Sequence, residues 1–373
     1  MAMLLDDLKV LDLSLWQPGH YATQLLADLG ADVLKVEPPG GDRMRPLVDR
    51  FVNFNGRKAS VVLDLKDEDD RRTLFGLVAR AEVVVENYRP GVADRLGIGF
   101  DRLRDVNPAI VLCSISGFGQ TGPLAAETGH DHNYQAYAGA FTMEEGHPPL
   151  PSALLVGDQG SGLAAAFAIL AAVLCARRTG EGEHVDVSMA DVLASWVAPM
   201  GNVDDRRDAV GSGLRSGRAP AMGTFETADG RPVVLGVYSE DHFWDELCRS
   251  LGLDGCVGLT MAERSARYAE LHAELATAIS RYQRDDIVAT LAARSVPIAP
   301  VLTRLEMLAH PHFRERGVIT TGPDGYRAVG HPIRYAVHPA LPPGPPPDLD
   351  EHRSQVLGSG WWRPERERSA SPG

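Results

Sequence analysis

The feature that most constrains this chain is an alternation at its start. Leu8 to Leu13 (LKVLDL) is a short β pattern, followed by a turn at Ser14 to Gly19 and a helical run from Tyr21 to Leu29. Ala31 to Val36 (ADVLKV) repeats the strand texture. Gly30 stands where a helix needs a residue that tolerates positive φ, so it reads as a C-cap. A β-turn-α-β unit with so little spare length closes as a right-handed parallel crossover. The pattern continues with strands at Ser60–Leu65, Glu82–Asn87 and Ala109–Ile115. A helix over Asp67–Ala81 has an acidic first turn, which suits the helix dipole. Strands alternating with helices predict a doubly wound α/β domain.

Farther on, Asp158–Arg177 reads as one long helix, Val185–Val187 as a short strand and Met189–Met200 as an apolar helix. From Asp204 to Ala219 the composition shifts to Asp, Arg, Gly and Ser, the texture of a linker. A hairpin is expected at Gly223–Thr227 and Pro232–Val237, with helices at Asp241–Leu251, Met261–Ser280 and Arg284–Arg294. The expected organisation is a large domain over 1–203, a linker over 204–219, a small α+β domain over 220–303, a return to the large domain over 304–360 and a tail over 361–373.

Composition excludes some classes. Asp and Glu total 50 against 37 Lys and Arg, a net charge of -13, which disfavours nonspecific nucleic-acid binding. Cys113, Cys175, Cys248 and Cys256 form no CxxC pair and read as reduced thiols of a cytoplasmic protein. No signal pattern opens the chain. Leu163–Cys175 is too short and too rich in Ala for a membrane span and reads as a buried helix. There is no GxGxxG after the first strand, no GxxxxGK[ST] and no HExxH, so no dinucleotide, nucleoside triphosphate or metal site is nominated. His132 reads as a partly buried polar residue rather than a ligand.

Two stretches carry chemistry: Gly129-His130-Asp131-His132-Asn133-Tyr134 and Gly157-Asp158-Gln159-Gly160-Ser161-Gly162. The ordinary reading of Asp158 is an N-cap, which contributes typically ~1 kcal/mol. The ordinary reading of His130 is structural. Against these, glycines let a ligand approach the backbone, and first-turn amides near Asp131 and Gly160 are candidate oxyanion donors. A histidine also titrates near neutrality, as a base for a carbon acid must.

Several further motifs are specific when taken together. They are Leu26-Ala27-Asp28-Leu29-Gly30-Ala31-Asp32-Val33, Lys35-Val36-Glu37-Pro38-Pro39-Gly40-Gly41-Asp42, Leu63-Asp64-Leu65-Lys66, Glu86-Asn87-Tyr88-Arg89-Pro90-Gly91 and Ser114-Ile115-Ser116-Gly117-Phe118-Gly119-Gln120. From Leu8 to Leu357 the chain resembles the family III CoA-transferases, the CaiB/BaiF family, and within it most closely the α-methylacyl-CoA racemases. The resemblance implies a Rossmann-like large domain, a small domain and an interlocked homodimer whose site combines both subunits. It implies an acyl-CoA substrate, with no cofactor beyond the coenzyme A of the substrate, and no nucleic-acid or membrane partner. It puts the family carboxylate on Asp158, the racemase base on His130 and its orienting acid, from the partner subunit, on Glu240. It assigns coenzyme A contacts to Gln17, Leu63, Leu65, Lys66, Asn87, Tyr88 and Arg95. Arg43, Arg45, Arg57 and Lys58 are loop cations suited to phosphate or to solvent. The leading expectation is 1,1-proton transfer on a 2-methylacyl-CoA. The alternatives are CoA transfer through an Asp158 anhydride and acyl-CoA binding without turnover. Acyl groups in such a family range from branched fatty acids to bile-acid thioesters.

Overall fold

The structure, a computed structural model, describes residues 3–142, 148–200, 219–321 and 327–361. The expected linker over 204–219 and tail over 361–373 lie outside them except for Ala219 and Trp361, and Trp361 is no tail residue but is buried in the core. By contact the chain divides into two units, residues 1–200 with 311–373 and residues 201–310. Residues 304–310, expected with the large domain, group with the small one.

The first unit is built on six parallel strands: β1 (Lys9–Asp12), β2 (Asp32–Glu37), β3 (Ala59–Val62), β4 (Val83–Glu86), β5 (Val111–Ser116) and β6 (His184–Ser188). Their order is β3-β2-β1-β4-β5-β6. A parallel sheet buries both faces, and alternation along each strand divides its side chains between two cores. On one side Val10, Val33, Val83 and Cys113 meet α1 (Gln17–Asp28) and α7 (Val156–Thr179). On the other side Leu11, Leu34, Val84 and Leu112 meet α3 (Glu68–Val78), α5 (Phe100–Val106) and, from the chain's end, α15 (Arg353–Ser359). Each fully buried Leu or Val contributes about 1.5–3 kcal/mol by leaving water.

The same unit also holds α2 (Val48–Asn55), α4 (Val92–Arg95), α6 (Asp131–Tyr137) and α8 (Met189–Val197). α7 is long and apolar enough by length and composition to cross a membrane, a test that buried helices also pass. It runs well past Leu163–Cys175 at both ends. It packs on α1, α6, α8, β5 and β6, while Leu163, Phe167 and Leu174 stay exposed.

The second unit has an antiparallel sheet of β7 (Met222–Phe225), β8 (Val233–Gly236) and β9 (Ile298–Pro300). Against it pack α9 (Asp241–Leu251), α10 (Met261–Ala266), α11 (Tyr268–Ile279) and α12 (Arg284–Ala292) around Trp244, Leu247, Leu271 and Ile287. The helix expected over 261–280 is broken at Arg267. Ahead of the break, Arg264 is buried, ion-paired with Asp241 and stacked 5.2 Å from the Trp244 ring centroid. α13 (Arg304–Ala309) ends this unit, and α14 (Pro311–Glu315) belongs to the first. A hairpin of β10 (Ile319–Thr321) and β11 (Arg327–Val329) comes next.

Candidate active site

In a doubly wound sheet the ligand crevice lies beyond the carboxyl ends of the strands, where strand order reverses. Here that point is between β1 and β4. The loops leaving these strands are tied together: the Leu13 amide donates to the Val85 carbonyl at 2.8 Å, and the Leu15 amide to Asn87 Oδ1 at 2.9 Å. Gln17 is the first residue of α1, and Pro18 beside it pre-sets the helical φ. Gln17, Asn87 and the largely buried Tyr88 therefore gather at the switch point. Burial holds the Tyr88 hydroxyl above its ordinary pKa. Lys66 is exposed on the loop beyond β3, and Arg95 is exposed at the end of α4, beyond β4. Leu63 and Leu65 are buried in the core, and the Leu65 carbonyl accepts from Arg71 at 2.9 Å.

Two of the loop cations prove to be internal. Lys58 is buried and donates to Asp12 Oδ2 at 2.9 Å, Thr23 Oγ1 at 2.8 Å and Asn55 Oδ1 at 2.9 Å. Arg45 forks onto Glu37 through Nε at 2.7 Å and Nη2 at 2.5 Å, a bidentate geometry that needs no ligand. Arg43 and Arg57 are outward, and Arg57 donates to the Pro342 carbonyl at 2.6 Å.

The sealed cluster continues. Lys35 Nζ lies 2.7 Å from Asp42 Oδ2 and 2.8 Å from both His20 Nε2 and the Ser14 carbonyl. Burial pushes against every charge here. At Asp12 the attraction of Lys58, Lys35 and His20 and the Ser14 hydrogen bond overcome it, and the carboxyl is held far below its usual range. Asp42 falls to about 2 for similar reasons, with His20 and Lys35 as partners. At Lys58 burial prevails and brings the ammonium down to about 8. The cluster locks Ser14 and so the turn that presents Gln17.

The reactive stretches meet at the carboxyl end of β5. His130 is the N-cap of α6, exposed, and its amide donates to Asn133 Oδ1 at 2.9 Å. Tyr134 lies under Gly117, where a side chain would collide with its ring, and its hydroxyl donates to the Gly129 carbonyl at 2.5 Å. Asp131, the first residue of α6, is buried. Its Oδ2 accepts the Asp158 backbone amide at 2.8 Å, and its Oδ1 accepts Gln135 Nε2. His130 thus stands one residue from the side chain that holds Asp158.

Asp158 is not a cap. The N-cap of α7 is Leu155, and Asp158 is the third residue of the helix. Its carboxyl is partly buried, and no hydrogen bond or ion pair reaches it among the described residues. Burial first, then the neighbouring Asp131 charge, push it up to about 7, while Arg50 on α2 opposes them. The glycines around it do not open the backbone to a ligand. A Cβ at Gly157 would lie 2.9 Å from Asp131 Oδ2, one at Gly160 would strike the Trp196 ring, and one at Gly162 would lie 2.7 Å from the Pro18 carbonyl. They make room for the protein's own groups. Nor is Gly160 a free first-turn donor: the Gln159 amide already bonds the Leu155 carbonyl, so position 160 is inside the helical ladder.

Glu240 belongs to the second unit. It is the exposed N-cap of α9, and its carboxylate accepts the Tyr238 amide at 3.1 Å. Backbone hydrogen bonds lower its pKa.

Residues 5–353 match the profile of CoA-transferase family III. The chain belongs to CoA-transferase family III. It is 35% identical to a succinyl-CoA:mesaconate CoA-transferase of Haloarcula hispanica over 95% of each chain. It is 34% identical to an acetyl-CoA:oxalate CoA-transferase of Acetobacter aceti over 93% of each. A CaiB/BaiF family protein from Brucella suis has the same fold, with a TM-score of 0.83 and 30% identity over 96% of this chain and 100% of that one. Membership of family III, unlike the narrower racemase assignment, therefore rests on both sequence and fold.

Proposed function

We propose that this chain transfers coenzyme A from an acyl-CoA to a carboxylic acid, with Asp158 as the nucleophile. The observation that carries the reading is the Asp158 carboxyl, held in the first turn of α7 with no ion-pair partner among the described residues and raised to about 7. A carboxylate near that value is both ionised enough to attack at neutral pH and more basic than an ordinary aspartate. The relatives, named as CoA-transferases acting on succinyl-, acetyl- and formyl-CoA, support the same class.

Asp158 attacks the thioester carbonyl and expels the CoA thiolate, leaving a mixed acyl-aspartyl anhydride. The thiolate attacks the Asp158 carbonyl carbon and releases the donor acid, giving an aspartyl-CoA thioester. The acceptor carboxylate attacks that thioester, CoA leaves again, and its return to the acceptor acyl carbon frees Asp158. Coenzyme A enters as part of the substrate, with Gln17, Asn87 and Tyr88 at the switch point as its first contacts. The apolar outward face of α7, with Leu163, Phe167 and Leu174, supports a homodimer, and the cysteine usage supports a cytoplasmic location.

The test is transfer itself: succinyl-CoA or acetyl-CoA incubated with a panel of short carboxylic acids should yield the acceptor acyl-CoA by chromatography. Absence of any new thioester across the panel would contradict the reading. One observation favours proton transfer as a second reading: His130 is exposed and adjacent in sequence to the residue that holds Asp158. The His130→Ala variant separates the two. Transfer should survive in it, whereas deuterium exchange at the α-carbon of a 2-methylacyl-CoA, if the protein supports it, should be lost. Binding without turnover would show as tight acyl-CoA affinity with neither reaction.

A further inference from the structure

We propose that Asp131 is a positioning residue for the chemistry at Asp158: its buried carboxylate, clamped by Gln135, grips the Asp158 backbone amide and holds a second negative charge beside the Asp158 carboxyl. The consequence for catalysis rests on the reading of Asp158 as the reacting carboxyl; the geometry does not.

Each oxygen of Asp131 has one task. Oδ2 takes the Asp158 amide at 2.8 Å and Oδ1 takes Gln135 Nε2. Gln135 is itself buried, and its Oε1 accepts the Ser152 amide at 2.9 Å. The clamp therefore joins α6 to the segment entering α7. Asp158 N–H is one of the first-turn donors that a helix cannot satisfy internally, and a charged acceptor makes the stronger bond. Gly157 is part of the device: any side chain there would push into Asp131 Oδ2 at 2.9 Å.

The groups facing the Asp158 carboxyl come from several elements. α6 supplies Asp131 and Tyr134, α2 supplies Arg50, and Arg89 beyond β4 acts on Tyr134. Tyr21 of α1 and the Trp196 ring of α8 pack against Gly162 and Gly160. Of these only Asp131 both touches the Asp158 backbone and opposes ionisation of its side chain. The same residue thus fixes where the carboxyl starts and how basic it is, and the more basic carboxylate is the better nucleophile.

The experiment is the Asp131→Asn variant, which keeps an oxygen to accept the Asp158 amide and removes the charge. Carbon-13 NMR of aspartate-labelled protein without substrate, with Asp158→Asn to assign the resonance, reads the carboxyl directly. Its midpoint should fall by about one pH unit in Asp131→Asn, and the acid limb of kcat/KM for transfer should move down with it. An unchanged midpoint in a folded Asp131→Asn protein overturns the proposal. A shifted midpoint in a protein that transfers no CoA upholds the positioning role and sinks the functional reading instead. Should Asp131→Asn fail to fold, the wild-type protein decides: the Asp158 amide should be protected from deuterium exchange, and rapid exchange at that amide overturns the clamp.

Discussion

Around the carboxyl ends of β1 and β2, Asp12 and Asp42 lie fully buried beside Lys58, Lys35 and His20. At the start of α7, Asp131 and Asp158 lie beside each other. Both regions bury carboxylates within one unit, yet their chemistry diverges. In the sealed cluster opposite charges overcome the desolvation cost, and both acids are driven down. In the second region burial and like charge act together, and Asp158 is driven up to about 7. Sealed and paired acids hold a loop in shape. A half-open acid with no counter-ion in contact among the described residues stays more basic than an ordinary aspartate. Glu86 forms a third case: burial raises it also to about 7, yet it is 3% exposed and accepts the Tyr88 amide at 2.5 Å, at the end of a core strand.

The contrast can be broken most severely at Lys58. Replacing Lys58 by Met takes from the buried Asp12 the ammonium in contact with it and should cost about 3–5 kcal/mol in urea unfolding. Removing both charges, as Asp12→Leu with Lys58→Met, should recover most of that loss. A double variant as unstable as the single one would show that the pair is not what the cluster depends on.

A smaller effect sharpens the other side. Asp158 has a folded-state pKa raised above its unfolded value, so its contribution to stability is complete below about 4 and is lost as pH rises through about 7. Asp158→Asn should therefore be relatively more stable at pH 8 than at pH 4, by about 2 kcal/mol after allowance for partial exposure. The sealed acids carry the opposite sign. Their pKa values are depressed, so their contribution is present above about 4 and fades as pH falls toward 2. Denaturation curves for wild type and Asp158→Asn across that range measure both limbs.

The parallel strands were legible because fully buried strands read as continuous apolar runs, as in Val83-Val84-Val85. Asp158 was singled out in the sequence, but α7 was started at it rather than two residues earlier at Val156, because Leu155 offers no capping side chain to mark the true start. α6 is seven residues long and has no apolar stripe, although the Asn133 side chain on the His130 amide is a capping signal that sequence could have offered. α2 buries only Phe51 and Asn55, too little periodicity to mark a helix. The sealed cluster was hidden for a different reason: Lys58 and Arg45 look like solvent-facing loop cations until β1 brings Asp12 to Lys58 and β2 brings Glu37 to Arg45. The Asp131 side chain was passed over in favour of its amide, and the glycine that accommodates it, Gly157, was taken as space for a ligand.

The central claim is that Asp158 becomes covalently acylated in turnover. The direct measurement is to mix the protein with succinyl-CoA or acetyl-CoA without acceptor, quench with hydroxylamine, and map modified peptides by mass spectrometry. The account predicts a hydroxamate at Asp158 that requires the acyl-CoA and is absent from Asp158→Ala. An unmodified Asp158 in a preparation that exchanges the α-hydrogen of a 2-methylacyl-CoA, and loses that exchange in His130→Ala, would contradict it.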